Sequence, residues 1–194
     1  MDYSVSQFSG RQAMLQPGMP FSTAELNAMV LDGLLRVVAR DAYVPCTAVV
    51  DARARARALA ERIPLAFRQR IVVGRLSAAW IHGHPAEPLR PVLLVDQRHR
   101  VSGLRRKVRA DYYEGRLGPH DVVSLGGLLV TTPLRTAVDV ATALRPELAV
   151  PTLRSLIDSP DAGISWRILR LAVEHTVPVQ RLSAALEKVD ACLH

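Results

Sequence analysis

Cysteine is scarce in this chain of 194 residues, which contains only Cys46 and Cys192. The two cysteines lie far apart and match no metal-binding or redox spacing, so the pattern predicts ordinary reduced thiols and argues against a structural disulfide. Long apolar runs are absent as well, and the N-terminal sequence MDYSVSQFSGRQ lacks the basic-then-apolar order of a signal peptide. We therefore expect a soluble, cytoplasmic protein that does not contact a membrane.

The sequence signatures of common enzymes are also missing. The chain contains no GxxxxGK phosphate-binding loop, no GxSxG nucleophile elbow and no kinase catalytic loop. A D/E-x-K nuclease needs a carboxylate two residues before its lysine, but Arg105 and Leu186 stand at those positions before the only two lysines. We predict no catalytic residue, no metal and no cofactor. Four histidines are too loosely spaced to predict a zinc site: His82, His84, His99 and His120.

Positive charge is abundant and is carried almost entirely by arginine. The net charge is +7 and the pI is about 10.2, so the chain attracts polyanions at low salt. The densest cluster, in residues 97–109, contains no acid and is predicted to be a loop between two strands. Nucleic acid or an acidic partner is its expected ligand, and a solvated loop that aids solubility is the alternative. The basic residues of this segment are Arg98, Arg100, Arg105, Arg106, Lys107 and Arg109.

Residues 126–143 predict a strand that leads into a helix. Thr132 is suited to the N-cap and the proline after it to the first helical position, because the hydroxyl accepts a free amide and proline has none. An apolar stripe follows at helical spacing, whereas Arg135, Asp139 and Thr142 fall together on another face. Arg135 and Asp139 are predicted to form a structural ion pair, and direct contact with a partner is the alternative.

A second pattern lies upstream, in residues 77–83. Its sequence, SAAWIHG, ends an apolar helix with small residues, an aromatic residue and a glycine stop, and His82 is expected to meet free carbonyls there. Together with GGLLVTTPLRTAVDVATA of residues 126–143, this pattern resembles the AbiEi-type antitoxin family of bacterial type IV toxin–antitoxin systems. In that family an SAAxxHG helix end precedes a GLxVTxPxRTxxDxA segment, and the resemblance covers residues 34–144.

The resemblance implies an antitoxin that counteracts a nucleotidyltransferase-like toxin encoded beside it. It also implies repression of its own operon, through an N-terminal winged helix-turn-helix in residues 1–46 that precedes an antitoxin domain in residues 47–194. Two alternatives stay open: an enzyme that covalently modifies the toxin, such as a phosphotransferase, and a DNA-binding regulator without a toxin partner. The motif residues for which the resemblance implies a structural or partner-contact role are Ser77, Trp80, His82, Thr132, Arg135 and Asp139.

The expected fold is mixed α/β, with a small mixed sheet packed by helices and a helical C-terminal portion. The N-terminal winged helix is expected to be reduced, since only a helix at residues 23–31 and a doubtful one at 6–16 precede its wing. The former contains no lysine or arginine, and Asn27 is its one side chain suited to adenine. The other predicted elements are strands at 34–38, 42–44, 91–96, 107–113, 122–125 and 128–131, and helices at 49–61, 66–81, 146–157, 164–174 and 179–192. Gly126 and Gly127 predict a tight hairpin between the last two strands, because glycine supplies the positive φ angles that such a turn requires.

Overall fold

The computed structural model describes residues 14–18, 20–95 and 102–193, and these residues form the mixed α/β fold that was predicted. They contain a two-stranded hairpin and a five-stranded mixed sheet. In chain order the elements are α1 (Thr23–Leu31), β1 (Leu35–Ala39), β2 (Ala42–Pro45), α2 (Ala52–Ala60), β3 (Val72–Val73), α3 (Arg75–Ile81), β4 (Val92–Val95), α4 (Ser102–Lys107), β5 (Asp111–Glu114), β6 (Val122–Leu125), β7 (Leu128–Thr131), α5 (Pro133–Ala143), α6 (Pro146–Asp158), α7 (Trp166–Thr176) and α8 (Val179–Asp190).

The five-stranded sheet has the strand order β5-β4-β3-β7-β6. Its short central strand β3 pairs antiparallel with β4 and parallel with β7. Because β3 and β7 are parallel neighbours, their carboxyl ends lie at the same edge of the sheet, and α3 and α5 both begin there. This edge therefore gathers the residues that follow both strands.

Capping residues explain where several helices begin. At α1, the Ser22 hydroxyl accepts the Glu25 amide and the Glu25 carboxylate accepts the Ser22 amide, which completes a capping box. Thr132 caps α5 as predicted, and its hydroxyl accepts the Arg135 amide at 3.4 Å. The helix α2 begins later than the predicted residue 49, because Asp51 is its N-cap.

The single helix predicted at residues 66–81 is wrong. The segment contains the end of a 3-10 turn, then β3, and only then α3. Two β-branched valines favour the strand, and Gly74 follows them where a Cβ would lie 2.6 Å from Leu94 Cδ1. A short buried strand followed by a short helix is as apolar as one long helix, so periodicity does not distinguish them.

The loop predicted at residues 97–109 is partly wrong. Residues 102–107 form α4, β5 begins at Asp111, and residues 96–101 lie outside the described part of the chain. The strand β5 runs parallel to β4, so the connection must return to the edge of the sheet at which β4 began. Such crossovers usually include a helix, and this requirement accounts for α4.

Apolar side chains form three clusters. The central cluster joins the five-stranded sheet to α2 and α3, and the hairpin contributes Ala39 and Ala42 to it. A second cluster packs α5 against α6, α7 and α8. Within the described residues, every helix is too short or too polar to span a bilayer.

The third cluster packs α1 on the hairpin, with Leu26 and Tyr43 at its centre. Leu15 forms an antiparallel bridge with Tyr43, and the two residues exchange backbone hydrogen bonds of 2.8 and 2.9 Å. The helix predicted at residues 6–16 is therefore wrong at its C-terminal end, and residues 6–13 lie outside the described residues. The domain boundary after residue 46 stays a prediction.

Gly126 allows the β6–β7 turn to approach α2 closely. Gly126 and Gly127 have φ angles of +56° and +88°, which is the geometry predicted for this tight hairpin. A Cβ on Gly126 would lie 2.6 Å from the Arg57 nitrogen and 2.8 Å from the Arg53 carbonyl oxygen. A Cβ on Gly127 would meet nothing closer than 3.9 Å.

We expect Gly126→Ala to lower the free energy of unfolding by about 2 to 5 kcal/mol, because overpacking against α2 adds to left-handed backbone strain. Gly127→Ala is the matched control, since it carries the strain without the clash, and should cost about 1 to 2 kcal/mol. Urea unfolding measures both changes. Equal losses in the two variants would contradict the close approach of this turn to α2.

Candidate functional site

The two sequence patterns meet in one buried unit. The helices α3 and α5 pack together, and His82 at the C-cap of α3 donates from Nε2 to the Thr131 carbonyl at 2.7 Å. Nε2 must carry the proton, because a carbonyl oxygen only accepts. Burial lowers the pKa of His82, and the hydrogen bond to Thr131 opposes this change less strongly, so the imidazole is neutral near pH 7.

Thr131 also binds the first turn of α5. The Thr136 hydroxyl lies 3.2 Å from the Thr131 carbonyl oxygen, and the two hydroxyl oxygens are 2.7 Å apart. Both threonines are fully buried. One set of buried hydrogen bonds therefore connects the end of β7 with the end of α3 and the start of α5. These bonds satisfy polar groups that burial removes from water.

Ser77 and Trp80 belong to the same framework. The buried Ser77 hydroxyl accepts the Val92 amide at 2.8 Å and so connects α3 to β4. Trp80 is also buried, and its carbonyl accepts a hydrogen bond of 2.6 Å from Arg55 of α2. Arg55 donates to the His84 carbonyl as well, at 3.1 Å. The side chains of Ser77 and Trp80 therefore lie inside the fold, and their role, structural or in partner contact, stays a prediction.

Arg135 lies between two carboxylates on the polar face of α5. Its Nε is 2.9 Å from Asp139 Oδ1, and its Nη1 is 2.6 Å from Asp121 Oδ2. Asp121 was not among the predicted site residues. The predicted hairpin could have indicated it, because a two-residue turn at Gly126 and Gly127 fixes which residues of the two strands are paired. The register pairs Val122 with Thr131, which puts Asp121 beside the N-terminus of α5. The Thr132 amide donates to the Asp121 carbonyl at 2.8 Å.

Asp139 is the most strongly desolvated member of this network. Burial raises its pKa, while Arg135 and the more distant charge of Arg75 act in the opposite direction. Its Oδ2 atom is buried and has no hydrogen-bond partner in the described residues. Arg75 follows β3 with a left-handed φ of +49°, and its guanidinium lies 3.7 Å from the centre of the Tyr113 ring. The backbone of a non-glycine residue with a left-handed φ is strained, and such strain is often found at functional sites.

A cleft of about 470 Å³ opens over this face of α5. Its floor contains Arg135 and Asp139, and its rims carry the exposed side chains of Arg116, from the β5–β6 connection, and Arg181, from α8. We call it the α5 cleft. Neither Arg116 nor Arg181 forms an ion pair within the described part of the chain. The other lining residues are His120, Asp121, Thr132, Leu134, Val138, Thr142, Ala172, Thr176, Val177 and Pro178.

The predicted basic segment is only partly described. Arg105, Arg106 and Lys107 are exposed on α4, and Arg109 is exposed just after it. The Arg105 guanidinium lies 5.3 Å from the centre of the Tyr112 ring. Arg98 and Arg100 lie outside the described residues. The described members present a cluster of positive charge, and its binding to nucleic acid or an acidic partner stays a prediction.

The helix α1 is confirmed, but its one adenine-compatible side chain is already engaged. Asn27 Oδ1 accepts a hydrogen bond of 3.0 Å from the Tyr43 hydroxyl. Because α1 has no lysine or arginine, no charged side chain on it supplies phosphate contacts. The helix α1 therefore offers less to DNA than the basic residues of α4 do.

The histidines serve separate parts of the molecule. His82 is buried in the framework, His84 Nδ1 lies 3.2 Å from Ser155 Oγ, and His120 lines the α5 cleft. His99 lies outside the described residues. Across residues 14–18, 20–95 and 102–193, no group of three His, Cys, Asp or Glu side chains is arranged to hold a metal ion.

Comparison with known proteins leaves the family of this chain open. No protein-family model and no curated protein matches it. Among solved structures, the crystal structure of the Rv2827c protein from Mycobacterium tuberculosis is similar, with 18% sequence identity and a TM-score of 0.45. The similarity covers 88% of this chain and 64% of the other, so this chain spans less than two thirds of that protein. A similarity of this size supports no conclusion about function.

The ion-pair network predicts unequal effects for its members. Arg135→Met leaves two carboxylates unpaired, one of them mostly buried, and should lower the free energy of unfolding by about 3 kcal/mol. Asp139→Asn keeps the size of the side chain and leaves Arg135 paired with Asp121, so it should cost about 1 kcal/mol or less. Chemical denaturation measures both values. A larger loss for Asp139→Asn than for Arg135→Met would contradict the central position of Arg135.

The basic residues of α4 predict salt-dependent binding to duplex DNA. Replacing Arg105 and Arg106 together by Glu should weaken binding by at least about tenfold at low salt, because phosphate contacts release counterions. The control replaces Arg53 and Arg57, which are exposed on α2, and changes the net charge equally. Fluorescence anisotropy with a labelled duplex measures both. Salt-independent binding that survives the α4 change would show that other residues recognise the DNA.

Proposed function

We propose that this chain is the antitoxin of a bacterial toxin–antitoxin system of the AbiEi type. It counteracts a nucleotidyltransferase-like toxin in the cytoplasm. One observation carries the proposal: the two segments on which the resemblance rests share the hydrogen bond between His82 and Thr131. Chance matches in separate segments have no reason to pack against each other, so this contact supports a common origin of the pattern.

The proposed antitoxin acts without catalysis. Three polar side chains of the two segments are engaged within the fold: His82 and Thr136 form buried hydrogen bonds, and Arg135 lies between two carboxylates. A general acid or base has to exchange a proton with its substrate, and groups held in this way serve a scaffold better. Neutralisation then proceeds through contact with the toxin, or through repression at operator DNA, to which α4 contributes electrostatic attraction.

The first experiment asks whether this chain protects cells from the product of the adjacent gene. Co-expression should restore growth, and the purified chain should then be titrated against the purified toxin in an assay of the toxin's own activity, with and without ATP. A non-catalytic binder should reach full inhibition only near equal numbers of the two molecules. The mass of the toxin should not change.

Two results would overturn parts of this proposal. Complete inactivation at a large molar deficit of this chain, with a mass change on the toxin, would show that it is an enzyme that modifies the toxin. Failure to restore growth, by a chain shown to be folded and expressed, would reject the antitoxin function itself.

A further inference from the structure

We propose that Glu87 locks the β1–β2 hairpin against the sheet and its helices, and that duplex DNA binds the hairpin only when this lock is open. The lock is an autoinhibitory contact within the chain, and the structure describes its closed form. It rests on the operator repression of the proposed function and concerns DNA, not the toxin.

The turn of the hairpin lies against the rest of the molecule and does not project from it. On either side of the turn, Ala39 and Ala42 are 3% and 1% exposed, and both belong to the central apolar cluster with residues of α2 and α3. A two-stranded β-ribbon that reads DNA has to enter the major groove. The docked position keeps the turn out of a groove, because α2 and the connection between α3 and β4 lie beside it.

Glu87 holds the turn with both of its carboxylate oxygens. Its Oε2 atom accepts the Arg40 amide at 2.9 Å, and its Oε1 atom lies 2.5 Å from Nη1 of Arg62, just after α2. The side chains of Glu87 and Arg62 are only 20% and 23% exposed, so solvent screens their contact incompletely. One carboxylate therefore connects the hairpin turn, the end of α2 and the α3–β4 connection.

The hairpin and α1 can move away from the sheet as one unit. They have an apolar cluster of their own, with Leu26 and Tyr43 at its centre. The fully buried residues that the hairpin adds to the central cluster are two alanines, Ala39 and Ala42, whose side chains bury little apolar area. Small contacts between parts of a chain permit relative motion, so the Glu87 contacts decide whether the hairpin stays docked.

The same carboxylate also opposes DNA electrostatically. Glu87 lies beside the backbone of Arg40, whose side chain is exposed at the turn, and its negative charge repels phosphates there. Asp41 belongs to the turn and moves with it, so Glu87 is the acid that opening leaves behind. Opening frees Arg40 for a phosphate contact and the turn for a groove.

The test compares the full chain with Glu87→Ala, in which both contacts are lost. Glu61→Ala is the matched control, because Glu61 carries the same charge, is exposed at the C-cap of α2 and forms no ion pair among the described residues. Amide hydrogen exchange of residues 35–45 measures opening. Fluorescence anisotropy measures binding to a labelled duplex from the promoter of this gene. Thermal melts verify folding, and Glu87→Gln, which keeps the size of the side chain, replaces an alanine variant that does not fold.

We expect Glu87→Ala to exchange the hairpin amides at least about tenfold faster, and to bind the duplex at least about fivefold more tightly, than the Glu61→Ala control. Adding Arg40→Glu should cancel this gain in affinity, whereas Arg40→Glu alone should change the affinity of the original chain by less than about twofold.

Three results would overturn the inference: unchanged exchange in Glu87→Ala, faster exchange without tighter binding than the control, and absence of duplex binding by every variant. Each of them leaves growth rescue by the original chain, and with it the antitoxin function, intact. Failure of rescue together with the expected gain in DNA binding would reject the antitoxin function and keep the lock.

Discussion

The hydrogen bond from His82 to the Thr131 carbonyl connects the C-terminal end of α3 to the C-terminal end of β7, next to the candidate site. One partner ends α3 and the other ends β7, so the bond fixes how the helix that follows β3 packs on the helix that follows β7. Both groups are buried, where an unpaired donor or acceptor would cost about 1 to 3 kcal/mol. The orientation of α5, and of everything on its polar face, follows from this junction.

The junction also separates fully buried framework residues from the half-buried residues that line the α5 cleft. Ser77, Trp80 and His82 lie inside the fold, whereas Arg135 and Asp139 line the α5 cleft one turn beyond it. Packing keeps Arg135 between two carboxylates and leaves Arg116 and Arg181 without ion pairs in the described residues. Among the described residues that line the α5 cleft, the unpaired arginines therefore lie on its rims.

Local sequence signals predicted much of this arrangement. Thr132 marked the start of α5, and Gly126 with Gly127 marked the β6–β7 turn, because caps and tight turns depend on neighbouring residues only. The β3 strand was missed because its two residues gain their strand geometry from β4 and β7, which are distant in sequence. Asp121 was missed for a different reason: the hairpin itself was predicted, but the contact with Arg135 depends on the register of β6 with β7 and on the position of α5 after β7. Local chemistry therefore predicts the elements, and long-range pairing assembles the site.

Nitrogen NMR of the His82 side chain, recorded from about pH 8 to pH 4, tests the junction most directly. The account predicts a neutral imidazole protonated at Nε2, with a pKa below the ordinary value of about 6.5. Because folding lowers this pKa, the unfolded chain binds the proton first as the pH falls, so stability should decrease below about pH 6.5. A proton on Nδ1, or titration near pH 6.5 without loss of stability, would contradict the account.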